Sequence, residues 1–504
     1  MKKYLLSALT LIIIMSSAWA QEPPKREFRG AWIHTVGNRT IPTLSSNEVK
    51  ALLSNVLDSL QLTGNNAVIF QIRPQADAFH VSPNEPWSRF LTGTQGGVPD
   101  PLWDPLQFMI DECHKRGMEL HAWCNPYRVT SNEEEVLTPD HLYFKDPEIF
   151  VKYGKQIYFD PGEPRSREHT VKVITDIVRR YDLDAIHFDD YFYPYPVDGQ
   201  DFPDDKSFKK YHKRDGFNED QRADWRRNNV SLLIKELNDA IKAIKPWVRF
   251  GISPFGVHRN FKDTPDGSGS MTDALSNYEQ LFADVPMWAQ EGWIDYIVPQ
   301  LYWKIGHPRA CYDILIKWWN NLHCSDHLYI GQSISTFREP DVDNPNITQM
   351  AKKMELVRTL ENVAGNVWWP GWSISRNSVS IADSLIQTYQ RYPALIPPYS
   401  NLDNIRPEPL SKISIYNQMV MWEDKNNEDP MQKALFYALY IFPEGEKVNI
   451  KEAKYLKAIV DRQYFSIKEL KEKYGVEEGS KCVVTVIDRC WNESNESKSV
   501  IIRN

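Results

Sequence analysis

The sequence predicts an α/β fold, a (β/α)8 barrel of the TIM type followed by a small all-β sandwich, and three observations carry that expectation. The chain of 504 residues is too long for one compact domain of ~100–200 residues, but it fits a barrel of ~250 residues or more plus a smaller module. Between Glu27 and about Pro393, short apolar runs alternate with longer amphipathic ones, the pattern of repeated strand-helix units and a parallel sheet. Beyond a proline-rich stretch from Pro393 to Pro409, short strand-like runs are separated by turn residues.

The candidate barrel strands, in order, are Phe28–His34, Ala67–Arg73, Met118–Asn125, Ala185–Asp189, Arg249–Ser253, Tyr296–Tyr302, Leu328–Ser333 and Val367–Gly371. After the first strand, Ser45 and Glu48 form a Ser-x-x-Glu capping box. Val49, Leu52, Leu53, Val56, Leu57 and Leu60 then recur at helical spacing before Gly64. The second helix has Asp104 as N-cap, Pro105 at its first position and Gly117 past its end. Further helices are predicted near 168–181, 224–244, 276–291, 309–322, 346–363 and 378–391. Eight such units close most naturally as a barrel, because right-handed crossovers leave few other arrangements. An open doubly wound sheet is the alternative, and the lack of a Gly-x-Gly-x-x-Gly turn after the first strand counts against its dinucleotide-binding form. The expected organisation is a barrel over 26–395, a stiff linker over 396–411 and a sandwich over 412–504, with strands at Lys412–Met421, Lys433–Phe442 and Cys482–Arg489.

Composition bounds the function classes. With 42% hydrophobic, 25% charged and 12% aromatic residues, the chain has the makings of an ample core. Its 59 Lys and Arg against 67 Asp and Glu give a net charge of −8, which offers no general attraction for a phosphate backbone, so nucleic acid is not an expected partner. Lys2 and Lys3, the apolar run Leu5 to Met15 and Ala18-Trp19-Ala20 read as a secretory leader cut before Gln21, which predicts export to the periplasm or the cell exterior. That run is well short of the ~20 residues that span a bilayer, and no later segment reaches that length. The six cysteines read as small apolar fillers. Cys482 and Cys490 would stand ~26 Å apart along one strand, too far to pair. Common zinc signatures are missing, the acidic loop from Asp198 to Asp205 lacks EF-hand spacing, and no metal or cofactor is expected.

In such a barrel the site lies at the carboxyl ends of the strands. Strand parity there turns His187, Asp189 and Tyr191 inward on the fourth strand and puts Asp190 on the other face unless the strand end twists. The same parity turns Gln71 and Arg73 inward on the second strand and Trp123 and Asn125 on the third. His34, Ser253, Gln300 and Tyr302 complete a polar ring. Among the 17 Trp and 24 Tyr, the run Tyr191-Phe192-Tyr193-Pro194-Tyr195, Trp303, Trp369 and Trp372 sit where a cleft would be. Sugar rings stack on such faces, so a polysaccharide is the expected substrate. Glycosidic cleavage usually needs two carboxylates. Asp189 is the first candidate; Asp190, Asp160, Glu163 or Asp77 supplies the second, with the loop of Asp160 and Glu163 favoured, or a substrate acetamido group takes its place. Arg73, Asn125, Tyr127, Arg128, His187, Gln300, Tyr302 and Trp303 are expected to bind and orient sugars.

Arg26-Glu27-Phe28-Arg29-Gly30-Ala31-Trp32-Ile33, Phe70-Gln71-Ile72-Arg73-Pro74-Gln75-Ala76-Asp77-Ala78, Ala122-Trp123-Cys124-Asn125-Pro126-Tyr127-Arg128, the segment from Asp184 to Pro194 and Pro299-Gln300-Leu301-Tyr302-Trp303 resemble the motifs of glycosyl-hydrolase-like family 10. The resemblance spans roughly residues 26–395. It implies a (β/α)8 glycoside hydrolase in which Asp189 and Asp190 match the strand-four acidic pair. It also implies, for at least one branch, cleavage of wall glycan strands stripped of stem peptides, between N-acetylmuramic acid and N-acetylglucosamine. The same segment is loosely similar to the chitinase-type pattern through Asp184 and Asp189, but Tyr191 stands where that pattern has its acid Glu. Trp422, the run from Tyr437 to Tyr440 and Val483-Val484-Thr485-Val486 resemble a fibronectin type III domain. Alternatives kept open are a carbohydrate-binding protein without turnover and a hydrolase of dietary or host glycan.

Overall fold

The structure is a computed structural model that describes residues 22–425 and 429–503. The leader read at residues 1–20 lies outside the described residues. Eight parallel strands close a barrel in sequence order: β1 (Phe28–Ile33), β2 (Ala67–Arg73), β3 (Glu119–Cys124), β4 (Ala185–Phe188), β5 (Arg249–Ile252), β6 (Tyr296–Ile297), β7 (Leu328–Ser333) and β8 (Val363–Trp369), with β8 returning to pair β1. The helix α1 (Ser46–Leu62) carries its capping box in place, and α2 (Pro105–His114) has its first turn capped by Asp104. Around the barrel follow α3 (Pro164–Arg180), α4 (Arg222–Ile244), α5 (Val285–Gln290), α6 (Tyr312–Asn321) and α7 (Gln349–Thr359). Among the described residues no helix is long and apolar enough to cross a membrane.

Strand parity divides the core into two layers. Alternate residues such as Ala31, Ile33, Val68, Phe70, Leu120 and Ala122 face the helices. Their neighbours Phe28, Trp32, Ala67, Ile69, Trp123 and Tyr296 fill the barrel. Phe28 stacks on Tyr329 with centroids 4.0 Å apart, and the Tyr296 ring crosses the lumen over Gly251, where an added Cβ would stand 1.9 Å from the ring. This middle layer closes the lumen, so only the ends of the barrel are open to chemistry.

Several elements differ from their sequence reading. The sixth strand stops at Ile297, because Pro299 lacks the N–H that a ladder needs. The chain continues only through bridges of Gln300 to Phe255 and Gly331. The helix predicted over 276–291 is broken into Asn277–Gln280 and α5, with Phe282 at φ 52° between them. The stretch predicted as a helix over 378–391 is three short turns of different pitch.

The C-terminal part forms two antiparallel sheets. One is built from β9 (Lys412–Tyr416), β10 (Met419–Glu423) and β13 (Tyr464–Ser466). The other has the order β12-β11-β14-β15, from β11 (Ala434–Phe442), β12 (Leu456–Val460), β14 (Lys481–Asp488) and β15 (Val500–Ile501). The run read as a single strand over 412–421 is instead the hairpin β9-β10, turning at Asn417 and Gln418, both at positive φ. This part is sealed onto the amino-terminal mouth of the barrel. Trp491 is fully buried and its indole donates to Glu119, which also accepts from Arg249. Arg249 reaches the Arg489 carbonyl at 2.9 Å. Within the stretch read as a linker, Ile396 and Tyr399 are fully buried in the same cluster.

Candidate active site

At the opposite, carboxyl-terminal mouth lies a cavity of about 330 Å³ lined by Trp32, Gln71, Trp123, Arg128, Asp189, Asp190, Tyr191, Tyr195, Ser253, Phe255, Gln300, Tyr302, Trp303 and Trp369, with Val36 at its edge. It is an aromatic pocket with a polar floor. Tyr302 lies nearly parallel to Trp369, 14° apart at 6.5 Å, and Trp303 meets Phe255 edge-on at 5.3 Å. β4 ends at Phe188, so Asp190 is released from the strict alternation of the strand and lines the cavity together with Asp189, which keeps the inward parity.

The two carboxyls are held differently. Asp189 accepts from the Trp123 indole N–H and from Asn125 Nδ2, each at 3.0 Å, and from the Tyr191 backbone at 3.4 Å. Burial outweighs these contacts and the charge of Arg128, raising its pKa to about 7. Asp190 accepts from the Tyr195 hydroxyl. Burial raises its pKa too, opposed by that bond and by the Gln300 amide. Near neutral pH the pocket therefore holds a carboxyl that keeps a proton available beside a second one fixed by a phenol, the equipment for protonating a leaving oxygen.

His187 and Ser253 form the layer below. Burial pushes the imidazole well below its usual range, and it sits 3.2 Å from the Trp32 indole nitrogen, 3.0 Å from the Ser253 hydroxyl and 3.0 Å from the Tyr296 hydroxyl. His187 thus positions Trp32 and Ser253 beneath the pocket. Asn125 also acts from behind, with its side-chain oxygen accepting the backbone N–H of Tyr127 and Arg128 while its nitrogen holds Asp189. His34 packs at 4.9 Å on Trp369, and Trp372 donates to the His34 carbonyl, so both back the rim.

Other predicted residues do not meet there. The register shifts between Gln71 and Arg73, which carries Arg73 off the inward face to the partner of Cys124. Its guanidinium is buried against Glu85 and donates to the Asn125 carbonyl. Tyr127 is in the layer between barrel and helices. Asp77 is buried near Ser88, Gln95 and Glu85, away from the cavity. Asp160 and Glu163 are separate as well, because they shape the start of α3. Asp160 accepts from Gly162 N at 2.9 Å, and Glu163 stands at the helix N-cap and accepts from the Tyr211 hydroxyl at 3.0 Å. They line a different depression with Lys206 and Lys210. The acidic loop is used in ion pairs, Asp204 with Arg222 and Arg226 and Asp201 with Arg226. Trp32, Val36, Phe255 and Tyr195's bond to Asp190 were absent from the predicted set; the parity of β1 that points Phe28 inward would have placed Trp32.

Residues 27–349 match the family described as glycosyl hydrolase-like 10. The protein named glycosyl hydrolase YngK from Bacillus subtilis (strain 168) is 40% identical over 512 residues, covering 98% of each chain. Glycosyl hydrolase DigH from Escherichia coli (strain K12) is 34% identical over 388 residues, covering 71% of this chain and 86% of that protein. Among solved structures, the glycoside hydrolase domain of PgaB (BpsB) from Bordetella bronchiseptica superposes with a TM-score of 0.48 at 10% identity, covering 73% of this chain and 99% of that chain. By the extent of the family match and of these relatives, the chain belongs to the glycosyl hydrolase-like 10 family.

Proposed function

We propose that the protein is an exported glycoside hydrolase acting on an acetamido polysaccharide of the bacterial wall, with peptide-free peptidoglycan strands as substrate. The observation that carries this reading is the placement of Asp189 and Asp190 together in one aromatic pocket at the barrel's carboxyl mouth. Asp189 serves as the general acid, since a carboxyl buried enough to titrate about pH 7 retains a proton to give. Asp190, fixed by Tyr195, is the second carboxylate and acts on the developing positive charge at the anomeric carbon or on the group that attacks it. Tyr302, Trp369, Trp303 and Tyr191 supply the stacking faces. Export rests on the leader read at residues 1–20, and it would deliver the protein to the compartment where such glycan lies.

The test is mass spectrometry of products from intact sacculi and from amidase-stripped strands, with the native protein, Asp189→Asn and Asp190→Asn. Disaccharide-repeat fragments from the stripped strands alone are expected, with rates lowered ~10²–10⁴-fold in Asp189→Asn. Glycan binding without fragments, in native protein and variants alike, would make it a binding protein. Fragments released equally by native protein and Asp189→Asn would remove that residue from the chemistry.

A further inference from the structure

Arg128 is the sole cation among the described residues that line the pocket, and it lies near Asp189 and Asp190 without forming a salt bridge to either. Its Nε and Nη2 both donate to the Pro74 carbonyl, at 3.0 and 2.7 Å, and its guanidinium lies 5.0 Å over the Tyr191 ring. That arrangement fixes the plane of the fork and leaves Nη1 without a hydrogen-bond acceptor among the described residues. The residue is only 8% exposed, and its charge acts on Asp189 and Asp190 through space without a direct salt bridge to either. A guanidinium fixed in this way matches one ligand chemistry best, a planar carboxylate taken through charge-assisted hydrogen bonds.

We propose that Arg128 forms a subsite for a carboxylate carried on a sugar ring beside the bond to be cleaved. The inference rests on the proposed glycan-hydrolase reading and narrows its substrate. In a wall strand the carboxylate is that of the lactyl ether on the muramic sugar. When a stem peptide is attached, that carbonyl is an amide, with no charge to offer and a bulky chain in place of the free oxygen. Arg128 thus selects stripped strands. A ligand carboxylate there would also cancel part of the positive charge that holds the Asp189 pKa down, which keeps the acid protonated while substrate is bound.

The experiment measures calorimetric binding to the full chain carrying Asp189→Asn, with Arg128 native, Arg128→Gln or Arg128→Lys. The probes are amidase-stripped strands, the same strands after carbodiimide coupling to methylamine, and hyaluronan oligosaccharides, whose carboxylate sits at C6 of a uronate. The free-acid strands are expected to bind roughly 30-fold or more tightly than the methylamides. That preference should vanish in Arg128→Gln and return in part in Arg128→Lys. Equal binding of acid and methylamide strands, an equal loss for both in Arg128→Gln, or binding of none of the probes would overturn the proposal. If equal binding is found while the native protein still cleaves stripped strands, the wall-glycan reading stands without this subsite. Tight binding of hyaluronan alone would keep the carboxylate subsite and overturn the wall-glycan reading.

Discussion

Burial decides the chemistry of individual side chains in this protein. Asp189 and Asp77 are both pushed up to about 7 by loss of water, yet only Asp189 faces a cavity. A raised pKa is therefore no sign of function until the group is placed. For Asp77 the consequence falls on stability. In the folded chain it holds a proton up to about pH 7, while the unfolded chain releases it near pH 4, so its stabilising effect is full below pH 4 and is lost as the pH rises to about 7. Asp77→Asn should therefore gain stability over the native protein as pH rises from 4 to 8, by ~3 kcal/mol at the upper end, measured by denaturant titration at each pH. A difference independent of pH would show that Asp77 ionises freely in the fold. Asp189 was legible from the sequence because its position at a strand end needs only parity. Arg73 was misplaced because a one-residue irregularity in pairing reverses the face, and residue types do not announce it.

At the scale of elements, the sequence is most readable where one local signal suffices. The capping box at Ser45 and Glu48, the cap at Asp104 and the long apolar stripe of α1 all appear in the structure. Apolar length misleads where tertiary pairing ends an element early. The run from Tyr296 to Tyr302 reads as a full strand, but it forms two ladder residues before Pro299 turns the chain so that Gln300, Tyr302 and Trp303 can face the pocket. The residues that shorten the strand thus build the site. The C-terminal hairpin was missed for the opposite reason, since Asn417-Gln418 lacks the glycine that marks a tight turn of this kind. The helix from Ile467 to Tyr474, capped by Ser466 and ended by Gly475 at φ 60°, was also not read from the sequence.

Over the whole molecule, the two mouths of the barrel divide the work. The carboxyl mouth is open and carries the pocket. The amino mouth is plugged by Trp491 over the buried Glu119 and Arg249 pair, with Arg489 bridging to Asp182 at 2.8 Å. The C-terminal sheets are therefore part of the barrel's floor rather than a module at the end of a spacer. Trp491→Ala should cost about 3–5 kcal/mol and lower the stability of the barrel itself, followed by near-ultraviolet dichroism and proteolysis of barrel segments. Loss of the C-terminal sheets alone, with the barrel transition unmoved, would contradict this coupling. That docking was hidden in the sequence, because a proline-rich stretch reads as a spacer whether or not Ile396 and Tyr399 are buried.

If a proton held on Asp189 drives glycan cleavage in this pocket, the pH dependence of kcat/KM on stripped strands must show it. A general acid must be protonated to act, so the rate should fall as pH rises through about 7, and the residual rate of Asp189→Asn should lack that limb. A limb near 7 that persists in Asp189→Asn, or a native rate that stays flat to pH 9, would contradict the assignment.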